Sequence, residues 1–238
     1  MTLDPRSRLI VALDVSSGAD AQSIVQQVGD SAQTFKVGKQ LFTAEGPQLV
    51  RDLVASGRKV FLDLKFHDIP NTVSGAVGEA AKLGVSMLTV HASGGSKMLK
   101  AAAEASATSM SKPMILAVTV LTSLNDSDLA ELSVSVDVKT QVLRLAKLAI
   151  KAGCGGVVAS AQEARKLRDE LGTGFAIVTP GVRPAGASVG DQARIVTPAE
   201  AIAAGASHIV VGRPITEAGD PRKAVRAIVE ELRVASSA

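Results

Sequence analysis

The stretch "FLDLKFHDIPNTV", residues 61–73, sets Asp63 and Lys65 inside an apolar run and follows them with His67 and Asp68. Charged side chains are rarely fully buried unless they are paired, so this run needs either an ion pair or a reaction to explain it. Residues two apart on a strand point the same way, which puts Asp63 and Lys65 on one face and Leu62 and Leu64 on the other. Their Cα atoms would then stand roughly 6.5–7 Å apart, close enough for both side chains to touch one small ligand. Asp14, in "VALDV", and Lys36, in "FKVG", end two other apolar runs. On neighbouring strands the four would form two acids and two bases alternating about one point, each keeping its neighbours ionised. The alternative is a structural ring of salt bridges that plugs the fold.

The elements that could position these residues recur regularly. Strand candidates lie at 8–15, 34–38, 59–65, 86–92, 113–122, 155–160, 174–180 and 207–212. Helical patterns fill the gaps: at 140–153 apolar residues recur every three or four positions, and 161–172 ends on Gly172, suited to a C-cap. Eight strands, each followed by room for a helix, predict an α/β fold, a single-domain (β/α)₈ TIM barrel over residues 1–238. A doubly wound open sheet is the rival. In such barrels functional groups gather at the carboxyl ends of the strands. Asp14, Lys36, Asp63, Lys65, His91, Thr122 and Arg213 all fall there.

The last two strands carry a second pattern. "TPGVRP" follows the seventh and "VGRPI" closes the eighth, and phosphate sites in these barrels frequently use those two loops. Gly212 permits close backbone approach, and Arg213 offers a planar fork of donors. Arg183 and Gln192 flank a Gly/Ala/Ser-rich segment, 184–192, able to order over an anion. A solvated turn with surface arginines is the competing reading, stronger for Arg183 than for Gly212 and Arg213.

Composition narrows the classes. Five Phe, no Trp and no Tyr argue against base stacking, and a net charge of +3 without a basic block argues against a nucleic-acid surface. No apolar run approaches a membrane span, and the short run before Asp14 is too brief for a signal peptide core. The lone Cys154 forms no intrachain disulfide, which fits a cytoplasmic protein. His67, His91 and His208 are dispersed without metal-ligand spacing, and no GxGxxG follows a strand. These patterns predict no metal and no dinucleotide cofactor. His208 reads as structural; His67 and His91 could orient a site or be structural.

At the level of motifs, "FLDLKFHDIPNTV" resembles the signature of the orotidine 5'-monophosphate decarboxylase family. The resemblance runs nearly end to end through "VALDV", "FKVG", "VHASGG", "VTVLTS", "TPGVRP" and "VVGRPI". It implies a cofactor-free (β/α)₈ homodimer with active sites shared at the interface, converting orotidine 5'-monophosphate to UMP and CO₂. It implies that Lys65 protonates C6 of the pyrimidine, beside Asp63 and the leaving carboxylate, while Lys36 and Asp14 complete the network and contact ribose. Asp68, Ile69 and Thr72 would cross to the partner's site, and Thr122 would read the pyrimidine edge. Arg183, Gln192, Gly212 and Arg213 would hold the phosphate. Loss of CO₂ from C6 leaves an electron pair that the ring cannot delocalise, so a fixed ammonium is the available stabiliser. A magnesium-dependent 3-keto-L-gulonate 6-phosphate decarboxylase shares the DxKxxD core and is the nearest alternative. A non-catalytic phosphate-ligand sensor is the other, although a sensor has no need of a protonating lysine.

Overall fold

The structure, a computed structural model, describes residues 4–184 and 196–237. Eight parallel strands close into a barrel in chain order. They are β1 (Leu9–Ala12), β2 (Thr34–Gly38), β3 (Lys59–Phe66), β4 (Met87–His91), β5 (Met114–Val118), β6 (Gly156–Val158), β7 (Ala176–Thr179) and β8 (His208–Val211). The predicted TIM barrel is the observed fold. An open sheet is excluded, because β1 pairs directly with β8, from Leu9↔Ile209 to Val11↔Val211.

Several strands are shorter than the apolar runs that mark them. β1 begins after Arg8, which belongs to a short helix, and β5 ends at Val118, so Thr122 sits in the following loop rather than on the strand. An apolar run records burial, not ladder pairing: Leu13 and Val120 stay buried beyond the ends of their strands.

Helices join the strands: α1 (Pro5–Arg8), α2 (Gly18–Val28), α3 (Lys39–Ala55), α4 (Pro70–Lys82), α5 (Gly95–Thr108), α6 (Asp126–Glu131), α7 (Val138–Lys151), α8 (Ala161–Leu171), α9 (Pro198–Ala203), α10 (Arg213–Thr216) and α11 (Pro221–Ser237). Their starts follow local chemistry. Ser17, Asp137 and Ser160 each accept a first-turn backbone N–H, and Thr197 with Glu200 makes a reciprocal capping box on α9. No helix among the described residues is long and apolar enough to cross a membrane.

Strand side chains alternate between two cores. Ile10, Ala12, Phe61, Leu116, Val178 and Val210 fill the barrel. Leu9, Val11, Phe35, Val37 and Leu62 pack outward with apolar residues of the helices. Strands buried on both faces read as continuous apolar runs, which is why they were visible in the sequence. In β2 and β3 the inward series turns from apolar to charged at Lys36 and at Asp63 and Lys65, above the packed interior.

Candidate active site

Asp14, Lys36, Asp63 and Lys65 form one continuous chain of contacts. Lys36 Nζ lies 2.6 Å from Asp14 Oδ1 and 3.8 Å from Asp63 Oδ2, and Lys65 Nζ lies 2.7 Å from Asp63 Oδ1. The signs alternate along it. Side-chain exposure falls from 58% at Asp14 to 11% at Lys36 and 13% at Asp63, and is 25% at Lys65. Water therefore reaches the ends better than the middle, where unpaired charge would be costly and each group has an opposite neighbour. The arrangement expected from the sequence is present.

Its backbone is less regular than alternation implies. Between Leu62↔Leu88 and Phe66↔Val90, β3 advances four residues while β4 advances two, a bulge that contains Lys65. Lys65 has φ 54°, a left-handed conformation uncommon for a side-chain-bearing residue. The facing survives the bulge: Leu62, Leu64 and Phe66 line a groove on the outside against Phe42 and Pro47 of α3, whereas Asp63 and Lys65 line the barrel mouth.

Sequence reasoning missed Thr89. It is fully buried on β4, accepts the Lys65 backbone N–H at 2.9 Å and donates its hydroxyl to Asp63 Oδ1 at 2.9 Å. The available signal was a single hydroxyl inside the apolar run "MLTV", which is weak because threonine is common in strands.

The mouth holds a cavity of about 180 Å³ lined by Lys36, Phe61, Asp63, Lys65, Thr122 and Val210, among others. Thr122 thus reaches the site from the loop after β5. His91 ends β4 half-buried with its ring 5.5 Å from that of exposed His67. Burial, then the positive fields of His67, Lys39 and Lys65, push the His91 imidazole below its ordinary range, with Asp63 opposing. Such a ring favours the neutral state next to the ammonium of Lys65.

The last two strands supply cations. Arg183 is buried, its backbone N–H bonded to Val196 O and its Nη1 to Val182 O at 3.2 Å. Burial first, then the Arg213 guanidinium, lower the Arg183 pKa, with Glu217 opposing. Two guanidiniums near enough to repel each other form a place where an anion is favoured. Arg213 opens α10 directly after Gly212. An added Cβ at Gly212 would meet Ala12 Cβ at 3.4 Å and Asp14 Oδ2 at 3.7 Å, ordinary contacts, but the backbone there, at φ −108° and ψ −103°, lies outside the regions that side-chain-bearing residues favour. Gln192, with most of the 184–192 segment, lies outside the described residues.

Three expected site residues stand apart from this chain's own charge network. Asp68, Ile69 and Thr72 are exposed at the start of α4. Asp68 makes no ion pair among the described residues; its Oδ1 accepts the Ile69 N–H at 2.6 Å. Ile69 is 66% exposed.

Comparison with known proteins gives consistent results. Residues 7–228 match the family model described as Orotidine 5'-phosphate decarboxylase / HUMPS family. The chain is 52% identical over 225 residues to orotidine 5'-phosphate decarboxylase of Idiomarina loihiensis, covering 94% of this chain and 97% of that protein. It is also 52% identical over 235 residues to the Halorhodospira halophila protein of the same name, covering 99% and 100%. Among solved structures, orotidine 5'-phosphate decarboxylase from Lactobacillus acidophilus superposes with TM-score 0.86 at 42% identity, covering 95% of this chain and 99% of that one. The protein of that name from Pyrococcus horikoshii gives 0.77 at 28% identity, with coverage of 94% and 99%.

Proposed function

Because the chain belongs to the orotidine 5'-phosphate decarboxylase / HUMPS family, we propose that it converts orotidine 5'-monophosphate to UMP and CO₂ in pyrimidine biosynthesis, with Lys65 as proton donor. The observation that carries this reading is the alternating series Asp14–Lys36–Asp63–Lys65 at the barrel mouth. In the proposed step the bond from C6 to the carboxylate breaks and its electron pair stays on C6. The ammonium of Lys65, 2.7 Å from Asp63, stabilises that pair and then gives it a proton. Solvent restores the lysine. Lys36, bridging Asp14 and Asp63, fixes the rest of the network, and Asp14 with its exposed end is suited to a ribose hydroxyl.

Arg183, Gln192, Gly212 and Arg213 are assigned to the phosphate, far enough from C6 to supply binding energy for orientation without entering the chemistry. The repulsion between Arg183 and Arg213 supports this, since a bound phosphate relieves it. Thr122, lining the same cavity as Lys65, is assigned to the pyrimidine edge. Asp68, Ile69 and Thr72 are assigned to the active site of a second copy in a homodimer, which accounts for an exposed isoleucine beside a carboxylate outside the local network.

CO₂ release from orotidine 5'-monophosphate, measured with and without EDTA, tests the reaction, and Lys65→Ala tests the role. The expected result is activity indifferent to EDTA and lost in Lys65→Ala. Activity abolished by chelation and restored by magnesium moves the chain to the sugar-phosphate reading; an active Lys65→Ala removes the lysine from the mechanism.

A further inference from the structure

We propose that Thr89 is a positioning residue that sets the catalytic geometry of Lys65 and Asp63, an inference that rests on the decarboxylase reading above. The bulge in β3 leaves Lys65 in a left-handed conformation between the ladder pairs Leu62↔Leu88 and Phe66↔Val90. A bulged residue loses its regular ladder partner, and a buried N–H without a partner is costly. The Thr89 hydroxyl accepts that N–H at 2.9 Å and donates its own hydrogen bond to Asp63 Oδ1, also at 2.9 Å. Lys65 Nζ reaches the same Oδ1 at 2.7 Å. The result is a closed ring: Lys65 backbone, Thr89 hydroxyl, Asp63 carboxylate and Lys65 ammonium.

The ring has two effects. It ties the Lys65 backbone to the buried Thr89 hydroxyl and the ammonium to the Asp63 oxygen which that hydroxyl holds, so Lys65 is located from its backbone as well as from its tip. It also fixes the carboxylate plane of Asp63, keeping Oδ1 for Lys65 and leaving Oδ2 turned to Lys36 at 3.8 Å. A hydroxyl suits this place because it accepts one bond and donates another; neither valine nor alanine can do so. Thr89 does not line the mouth cavity with Lys36, Asp63 and Lys65, so it acts through its neighbours.

Interactions that locate the proton donor matter in the transition state more than in substrate binding. Thr89→Val, which keeps the shape and removes the hydroxyl, is expected to lower kcat about ten- to a hundredfold, the range for a lost hydrogen bond to a charged group. KM for orotidine 5'-monophosphate and the affinity for UMP should stay within about threefold. Thr89→Ser and Thr89→Ala, which differ from each other by one oxygen, guard against a variant that does not fold. Serine should restore kcat to near the wild-type value and alanine should not, whatever their common loss of melting temperature. Three outcomes overturn the proposal: a Thr89→Val enzyme with wild-type kcat, an equal loss in the serine and alanine variants, or a KM that rises as far as kcat falls. The Lys65→Ala enzyme is the reference: if it stays active, the reading of the site has failed, whereas an inactive Lys65→Ala beside an unimpaired Thr89→Val removes only Thr89.

Discussion

At the scale of single residues, charge out of place was the readable signal. Asp14, Lys36, Asp63 and Lys65 were found because ionised groups end apolar runs, and they meet in one chain of contacts. Thr89 was not found, because a hydroxyl in a strand carries no such penalty and its importance lies in a bulge that no periodicity predicts. His208 shows what the same physics does without a site. It is buried at the start of β8, and burial first, then Arg8 and Lys59, lower its pKa to about 4. An unfolded histidine titrates near ~6.5. Between those values the unfolded chain holds more protons, so the stability owed to the neutral ring is complete above about pH 6.5. It falls as pH drops towards 4, by on the order of 3 kcal/mol in all. Urea midpoints at pH 7 and pH 4.5 should therefore converge in His208→Asn relative to the wild-type chain. An equal pH dependence in both proteins would place the titration on another group.

At the scale of elements, the sequence located every strand and the bounds of β2, came within a residue on β3, and overran the ends of the rest. The run 113–122 is apolar apart from Thr119 and Thr122, yet β5 stops at Val118 because the chain turns across the mouth, where Val120 is buried without a ladder position. Short helices such as α6, set by its Asn125 capping box, and α10, opened by Arg213-Pro214, are too brief for a 3.6-residue period to register. Close packing between strands was equally hidden. Gly156 on β6 faces Leu116 of β5 and Ala176 of β7, and an added Cβ would stand 2.5 Å from Ala176 O and 2.8 Å from Ala176 Cβ. Backbone, not a flexible side-chain tip, is in the way. Gly156→Ala should cost about 1–3 kcal/mol through forced strand separation. Denaturant unfolding reads this directly, and an unchanged midpoint would show that the barrel wall yields freely there.

At the scale of the whole molecule, the barrel collects charged side chains from β2, β3 and the turn after β1 at one mouth, while the residues just before α4, Asp68 and Ile69, stand out in solvent. A shared site in a homodimer makes a prediction that a self-contained site does not. Lys65→Ala and Asp68→Ala homodimers should each be severely impaired. Refolded together, mixed dimers have one site lacking both residues and one with both intact. Random pairing makes about half the dimers mixed, so roughly a quarter of wild-type activity should return, by the two-fold symmetry of such an assembly. With subunit exchange verified, no gain in activity means that Asp68 serves its own chain.

The seam between β1 and β8 also has a history within each molecule. Leu9 meets Ile209, a partner made 200 residues later. At a synthesis rate of about 5–20 residues per second, the first strand waits roughly ten to forty seconds for that neighbour. Through that interval the nascent chain carries an open strand edge, which invites pairing with other chains. Its greatest exposure to misassembly comes just before β8 leaves the ribosome, and arrival of "SHIVV" ends it.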